Sequence, residues 1–201
     1  MVGTFLEPSC GRGISPIHSI PYSVAQPLER GFNNYYSIIQ GINMLTKEMQ
    51  ERLMRICMEE AEKAIARGDD PFGGVIADKE GNIIVRDGNR ENTEMNRSAH
   101  AEMVLIREAC KKLGKTDLSG YISVCNGESC PMCCCALVLS GIDEFYYGLS
   151  MRDGCNPYLT MQDVTSKAIQ NCSVTGNILA DECYEQIMRG WALRGKNESG
   201  L

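Results

Sequence analysis

The sequence predicts an α/β fold, one sheet covered by helices on both faces. Three features predict it. The elements read helix, hairpin, helix, strand, helix, strand, helix, an order that a layered sheet accommodates. The 201 residues, 43% of them apolar, suffice for one domain with a buried core and are short for two. A helix between the two later strands makes them parallel neighbours through a right-handed crossover. No internal repeat or interdomain linker interrupts this order.

Residues 1–45 are expected to form an N-terminal arm, punctuated by Gly11, Gly13, Pro16, Pro21 and Pro27. No single period runs through it, so it reads as irregular or briefly helical, with Phe32, Tyr35 and Tyr36 anchoring part of it. The domain proper, 46–201, begins at Thr46, a helix cap with apolar Leu45 before it and Glu48 in the first turn. Met49, Leu53, Ile56, Cys57, Ala61, Ala64 and Ile65 then recur at steps of three and four, an amphipathic stripe that Gly68 ends. Residues 74–77 and 83–85 read as the strands of a hairpin, joined by Lys79-Glu80-Gly81-Asn82. A polar loop over 89–98 leads into a helix over 100–113, whose core side is Met103, Val104, Leu105, Ile106 and Ala109; Gly114 stops it. A strand over 121–125, a helix over 131–140 and a strand over 144–147 follow. A mixed helical and loop stretch runs to Ile169, and 173–175 is a short fifth strand. The closing helix, 180–194, carries Cys183, Ile187, Met188 and Trp191 on one side.

Charge and cysteine content narrow the function classes. With 20 basic and 26 acidic residues the net charge is −6, so any nucleic-acid surface would be a local patch on an acidic body. No run of eighteen apolar residues is present to span a membrane, and the start lacks a compact apolar stretch with a cleavage signal; a cytoplasmic location is expected. Eleven cysteines, four of them among residues 130–135, fit a disulfide framework poorly. Reduced thiols, some buried and two or three on a metal, are the simpler account.

The chemistry is concentrated in His100-Ala101-Glu102 and Cys130-Pro131-Met132-Cys133. Alone, His100 would be a structural residue, and the cysteine pair a redox couple or half of a structural zinc site. Together they are more specific. Cys130 and Cys133 share one face of a helical turn, and Pro131 suits the first helical position. Both sulfurs then lie at a helix N-terminus, which favours thiolate. One imidazole and two thiolates supply three ligands for zinc and leave a tetrahedral position open. Glu102 is near enough to that position to move a proton there.

Residues from about 48 to 194 resemble the nucleobase and tRNA-adenosine deaminase branch of the cytidine deaminase superfamily. The pieces that carry the likeness are Pro71-Phe72-Gly73-Gly74, Gly88-Asn89, Ala99-His100-Ala101-Glu102-Met103 and Glu128-Ser129-Cys130-Pro131-Met132-Cys133. The resemblance implies a three-layer α-β-α sandwich with a central mixed five-stranded sheet and a homodimer. It implies a zinc cofactor on His100, Cys130 and Cys133, with Glu102 as catalytic proton shuttle. The expected reaction is hydrolytic deamination of a guanine-, cytosine- or adenine-type base or nucleoside, with ammonia released. Asn89 would bond the substrate's polar edge, the Ala101 backbone would meet it from the other side, and Phe72 or His100 would pack on the ring. Asn89 could instead cap its own loop. Ser129 is counted among the substrate contacts, although it stands where the pattern has proline. Cys134 and Cys135, where small residues are usual, are expected to fill volume behind the ligands.

Two substrate classes compete. Pro71-Phe72-Gly73 is similar to guanine or guanosine deaminases, whereas the stretches 89–110 and 178–183 look more like bacterial tRNA adenosine deaminases. The thin basic end, with Arg189, Arg194 and Lys196 against Glu198, favours a small-molecule base or nucleoside over tRNA. An inactive zinc-bearing interaction domain is the reading from a different class.

Overall fold

Thr46 caps the first helix, α1 (Lys47–Arg67). Its hydroxyl accepts the Met49 N–H while its own backbone stays extended. At the far end Gly68 enters the left-handed region, φ +81°, and its N–H reaches the carbonyls of Ala64 and Ile65. A computed structural model describes residues 45–150 and 159–196. The arm expected over 1–45, apart from Leu45, lies outside the described residues, as do 151–158 and 197–201.

The hairpin pairs β1 (Gly73–Asp78) with β2 (Ile83–Gly88) in antiparallel register, slipping between Ile76 and Ala77. Both strands outrun the apolar stretches that announced them. Asp87 pairs with Gly74 across the hairpin and Asp78 with Tyr121 on the other side, and the Asp78 carboxylate also accepts the turn amides of Glu80 and Asn82. Then come α2 (Ala101–Leu113), β3 (Tyr121–Gly127), α3 (Pro131–Leu139), β4 (Glu144–Leu149), the short α4 (Met161–Thr165), β5 (Ser173–Thr175) and α5 (Ala180–Leu193). The sheet order is β2-β1-β3-β4-β5. β1 runs antiparallel to both neighbours, and β3, β4 and β5 run parallel. This is the mixed five-stranded sheet expected, with the crossover through α3.

Strand alternation divides the core in two. Val75, Ala77, Ile122, Val124 and Tyr146 pack with Leu53, Met54 and Cys57 of α1 and Cys183 of α5. Ile76 and Phe145 point the other way, into Leu105 and Ala109 of α2, Cys134 and Leu137 of α3, and Met161 of α4. The expected stripes are partly displaced. In α1 the deepest residues include Met54, whereas Met49, Ile56 and Ile65 are half-buried; Met103, Ile106 and Met188 are likewise half-buried. On α5, Gln186 and Gly190 take buried places beside Cys183, Ile187 and Trp191. At two points the layers approach closely. A Cβ on Gly73 would collide with the α1 backbone at Cys57 and Ala61, and one on Gly190 would meet Ile65 at 3.0 Å.

Asn126, fully buried in β3, joins three elements. Its Oδ1 accepts the Gly73 N–H at 3.0 Å, and its Nδ2 donates to the Pro71 carbonyl at 3.0 Å and to Gln186 Oε1 at 3.2 Å. No helix of the described residues is long and apolar enough to cross a membrane.

Candidate active site

Two helices begin at the same place. β3 delivers the chain through Glu128 and Ser129 to Cys130, the N-cap of α3, with Pro131 in the first turn. His100 is the N-cap of α2 and so stands just outside the expected helix start. Both caps are extended and neither side chain bonds its own helix, which leaves imidazole and thiol free to turn toward each other. His100 Nδ1 lies 3.6 Å from Cys130 Sγ and 3.5 Å from Cys133 Sγ. All three candidate ligand atoms lie within 4.8 Å of one another.

That spacing can be compared with what zinc requires. Bonds of about 2.3 Å to sulfur and about 2.0–2.1 Å to nitrogen, at a tetrahedral angle, put Sγ and Nδ1 about 3.5–3.6 Å apart. The donor set fits the ion in both distance and chemistry. Among the described residues no fourth Cys, His, Asp or Glu joins the group, so one corner is left to solvent or substrate. The thiols are strongly coupled. The hydrogen bond from Cys133 pulls Cys130 down to about 4, against burial and with help from His100. Bonding to that thiolate, together with burial, pushes Cys133 far up. One negative charge is thus shared by two sulfurs, and a cation between them would let both ionise. The Cys130 contact raises His100 despite its burial.

Glu102 sits on the first turn of α2, 7% exposed. Burial raises its carboxyl above the ordinary range, opposed by a hydrogen bond to Ser129. It faces a cleft lined also by Phe72, Asn89, His100, Ala101 and Cys130, with about 410 Å³ of empty space when the open mouth is included. Cys133 and Ser129 are buried and stand behind that surface; the contact of Ser129 is with Glu102. The sequence reading missed three further wall residues, Cys125, Gly127 and Glu128. Gly127 is where the aromatic wall rests, since a Cβ there would lie 2.8 Å from the Phe72 ring. Trp191 backs that ring edge-on, with centroids 5.8 Å apart and planes at 72°. Asp70, before the Phe72 turn, pairs with Arg194 and with Lys196 at 3.0 Å, tying the turn to the end of α5. Cys134 is core, as expected, whereas Cys135 is exposed.

The loop over 89–98 is fastened from within. Asn89 Oδ1 accepts the Glu91 N–H at 2.9 Å and the Asp70 N–H at 3.4 Å, while no partner of its Nδ2 is found among the described residues. Asp69 accepts from the amides of Asn92 and Thr93 at 3.0 and 2.9 Å, from the Thr93 hydroxyl at 2.6 Å and from Arg67 at 3.2 Å. Burial pushes its carboxyl up, but these bonds together hold it below the usual carboxylate range.

Known proteins agree with this geometry. Residues 47–149 match the family described as the cytidine and deoxycytidylate deaminase zinc-binding region. A tRNA-specific adenosine deaminase of Bacillus subtilis (strain 168) is 36% identical over 134 residues, 66% of this chain and 83% of its own. A guanine deaminase of the same organism is 39% identical over 83 residues, 41% of this chain and 53% of its own. A solved structure from studies of A-to-I editing by tRNA:A34 deaminases superposes with a TM-score of 0.61 at 28% identity, over 67% of this chain and 98% of that one. With that match spanning both helix caps and the three donors they gather, this chain belongs to the cytidine-deaminase-like superfamily and is a zinc-dependent hydrolase.

Proposed function

We propose that the chain hydrolyses the exocyclic amine of a free nucleobase or nucleoside of the guanine, cytosine or adenine type, releasing ammonia. One observation supports this above all: two donors of a three-donor metal group, His100 and Cys130, line the same cleft as the buried carboxyl of Glu102, with Cys133 behind them. His100, Cys130 and Cys133 would hold the ion, and zinc bound there supplies Lewis acidity. Glu102 takes one proton of the attacking water and gives it to a ring nitrogen, then takes the second from the hydroxyl now on the ring carbon and gives it to the departing amine. Oxygen from water thereby replaces nitrogen on the ring carbon, and the nitrogen leaves as ammonia.

The remaining wall residues orient the ring. Phe72 offers a flat apolar face held by Gly127 and Trp191. Asn89 Nδ2 donates to the substrate's polar edge while Oδ1 stays on the loop. Ala101 places backbone at the opposite edge, at the start of α2, where N–H groups have no partner within the helix.

Similarity to the Bacillus subtilis tRNA-specific enzyme over 134 residues favours a second reading, adenosine deamination in a tRNA loop. An unpaired base could enter the same cleft without being pulled from a duplex. An ammonia-release screen of zinc-loaded protein over bases, nucleosides and triazines, run beside an inosine assay on tRNA, separates the two. Release from a small molecule supports the first, and inosine formation alone supports the second. No product from any of them would sink both and favour an inactive zinc-bearing domain. Sedimentation of the loaded protein tests the homodimer that goes with either.

A further inference from the structure

The two ring nitrogens of His100 face different neighbours. Nδ1 lies 3.5–3.6 Å from both sulfurs and must present a lone pair if it is to bind a metal with them. The proton of the neutral imidazole then belongs on Nε2. Nε2 lies 3.3 Å from Oε2 of Glu91, a carboxylate only 9% exposed.

Glu91 is itself held on several sides. Its other oxygen meets the guanidinium of Arg97, its N–H donates to Asn89 Oδ1 at 2.9 Å, and its carbonyl accepts the Asn96 N–H at 2.9 Å. We infer that Glu91 is a positioning residue for the metal centre. It receives the Nε2 proton of His100, fixes the tautomer that leaves Nδ1 free, and sets the ring's orientation toward Cys130 and Cys133. The inference rests on the reading that His100, Cys130 and Cys133 hold zinc, and adds a residue from the polar loop to it. One hydrogen-bonded segment thereby sets both a metal ligand and, through Asn89, the donor at the substrate edge. Arg97, with its side chain 87% exposed, steadies the outer oxygen from solvent and has the smaller influence.

The chain has two histidines, His18 and His100, so ring-nitrogen NMR of histidine-labelled, zinc-loaded protein is readily assigned. In the wild type His100 is expected to carry its proton on Nε2 and the metal on Nδ1. Glu91→Ala is expected to release zinc to a chromogenic chelator about 10–100-fold faster. Arg97→Ala is expected to stay within about fivefold of wild type, the worth of an exposed ion pair. Glu91→Gln has one oxygen for two donors, so its release is expected to be intermediate. Adding Arg97→Ala to it frees that oxygen for Nε2 and is expected to slow release again, an order that a merely structural role would reverse. Melting of the metal-stripped samples separates a folding defect from a metal-holding one. Zinc leaving Glu91→Ala at the wild-type rate, or a proton found on Nδ1 in loaded wild type, overturns the inference alone. A wild type that takes up no zinc overturns the metal reading as well.

Discussion

Asn89 lines the cleft, and its Oδ1 caps two backbone amides, while no partner of its Nδ2 is found among the described residues. Asn89→Ala is therefore expected to cost about 1–2 kcal/mol in urea unfolding and at least about tenfold in kcat/KM. An unchanged kcat/KM in the folded protein would make the residue structural only. Glu102→Gln is expected to keep its zinc, measured by metal analysis, and to lose about 10²–10⁴-fold in turnover, because water loses its proton acceptor. Cys130→Ala removes one of three donors and is expected to lower zinc content well below one equivalent. These residues were legible because each is chemically unusual for its place in a motif. Glu91, Gly127 and Trp191 were not. Their contacts with His100 and Phe72 come from folding, and nothing in a run such as Asn-Arg-Glu-Asn marks one carboxylate as the one that turns inward.

Element ends followed local chemistry more faithfully than element faces did. The Thr46 cap and the stops at Gly68 and Gly114 were legible because a cap involves only a few neighbouring residues. Strand ends were not, because a backbone ladder continues past Asp87 or Asn126 without regard to their polarity. The loop over 89–98 has no apolar pattern, yet Asp69 gives it a fixed shape through three hydrogen bonds. Its carboxyl is held below the unfolded value of about 3.9, so the stability it adds is complete above about pH 4 and lost as pH falls through the folded value. Asp69→Asn is expected to cost about 1–3 kcal/mol at neutral pH and to flatten the acid limb of stability against pH. Urea midpoints across a pH series measure both; parallel curves for mutant and wild type would refute the linkage.

At the scale of the molecule, helices on both faces of one sheet were legible from element order alone, but the fit between layers was not. Gly73 illustrates why. It opens β1 one residue before the strand read from the sequence, and α1 crosses it so closely that a methyl group would enter the helix backbone. Gly73→Ala is expected to destabilise by at least about 2 kcal/mol, since backbone yields less readily than a side chain, and calorimetry of the mutant would reveal a near-native transition if the layers can part. Beside it, Asn126 precedes Gly127, a pair that in loose chain closes to a succinimide and ages to aspartate. Here the carboxamide is drawn off by Gly73, Pro71 and Gln186, in an extended strand with no solvent access. The native protein should age slowly at this bond and only by way of its opened form, so that conversion at Asn126 during storage records how often the molecule has come apart.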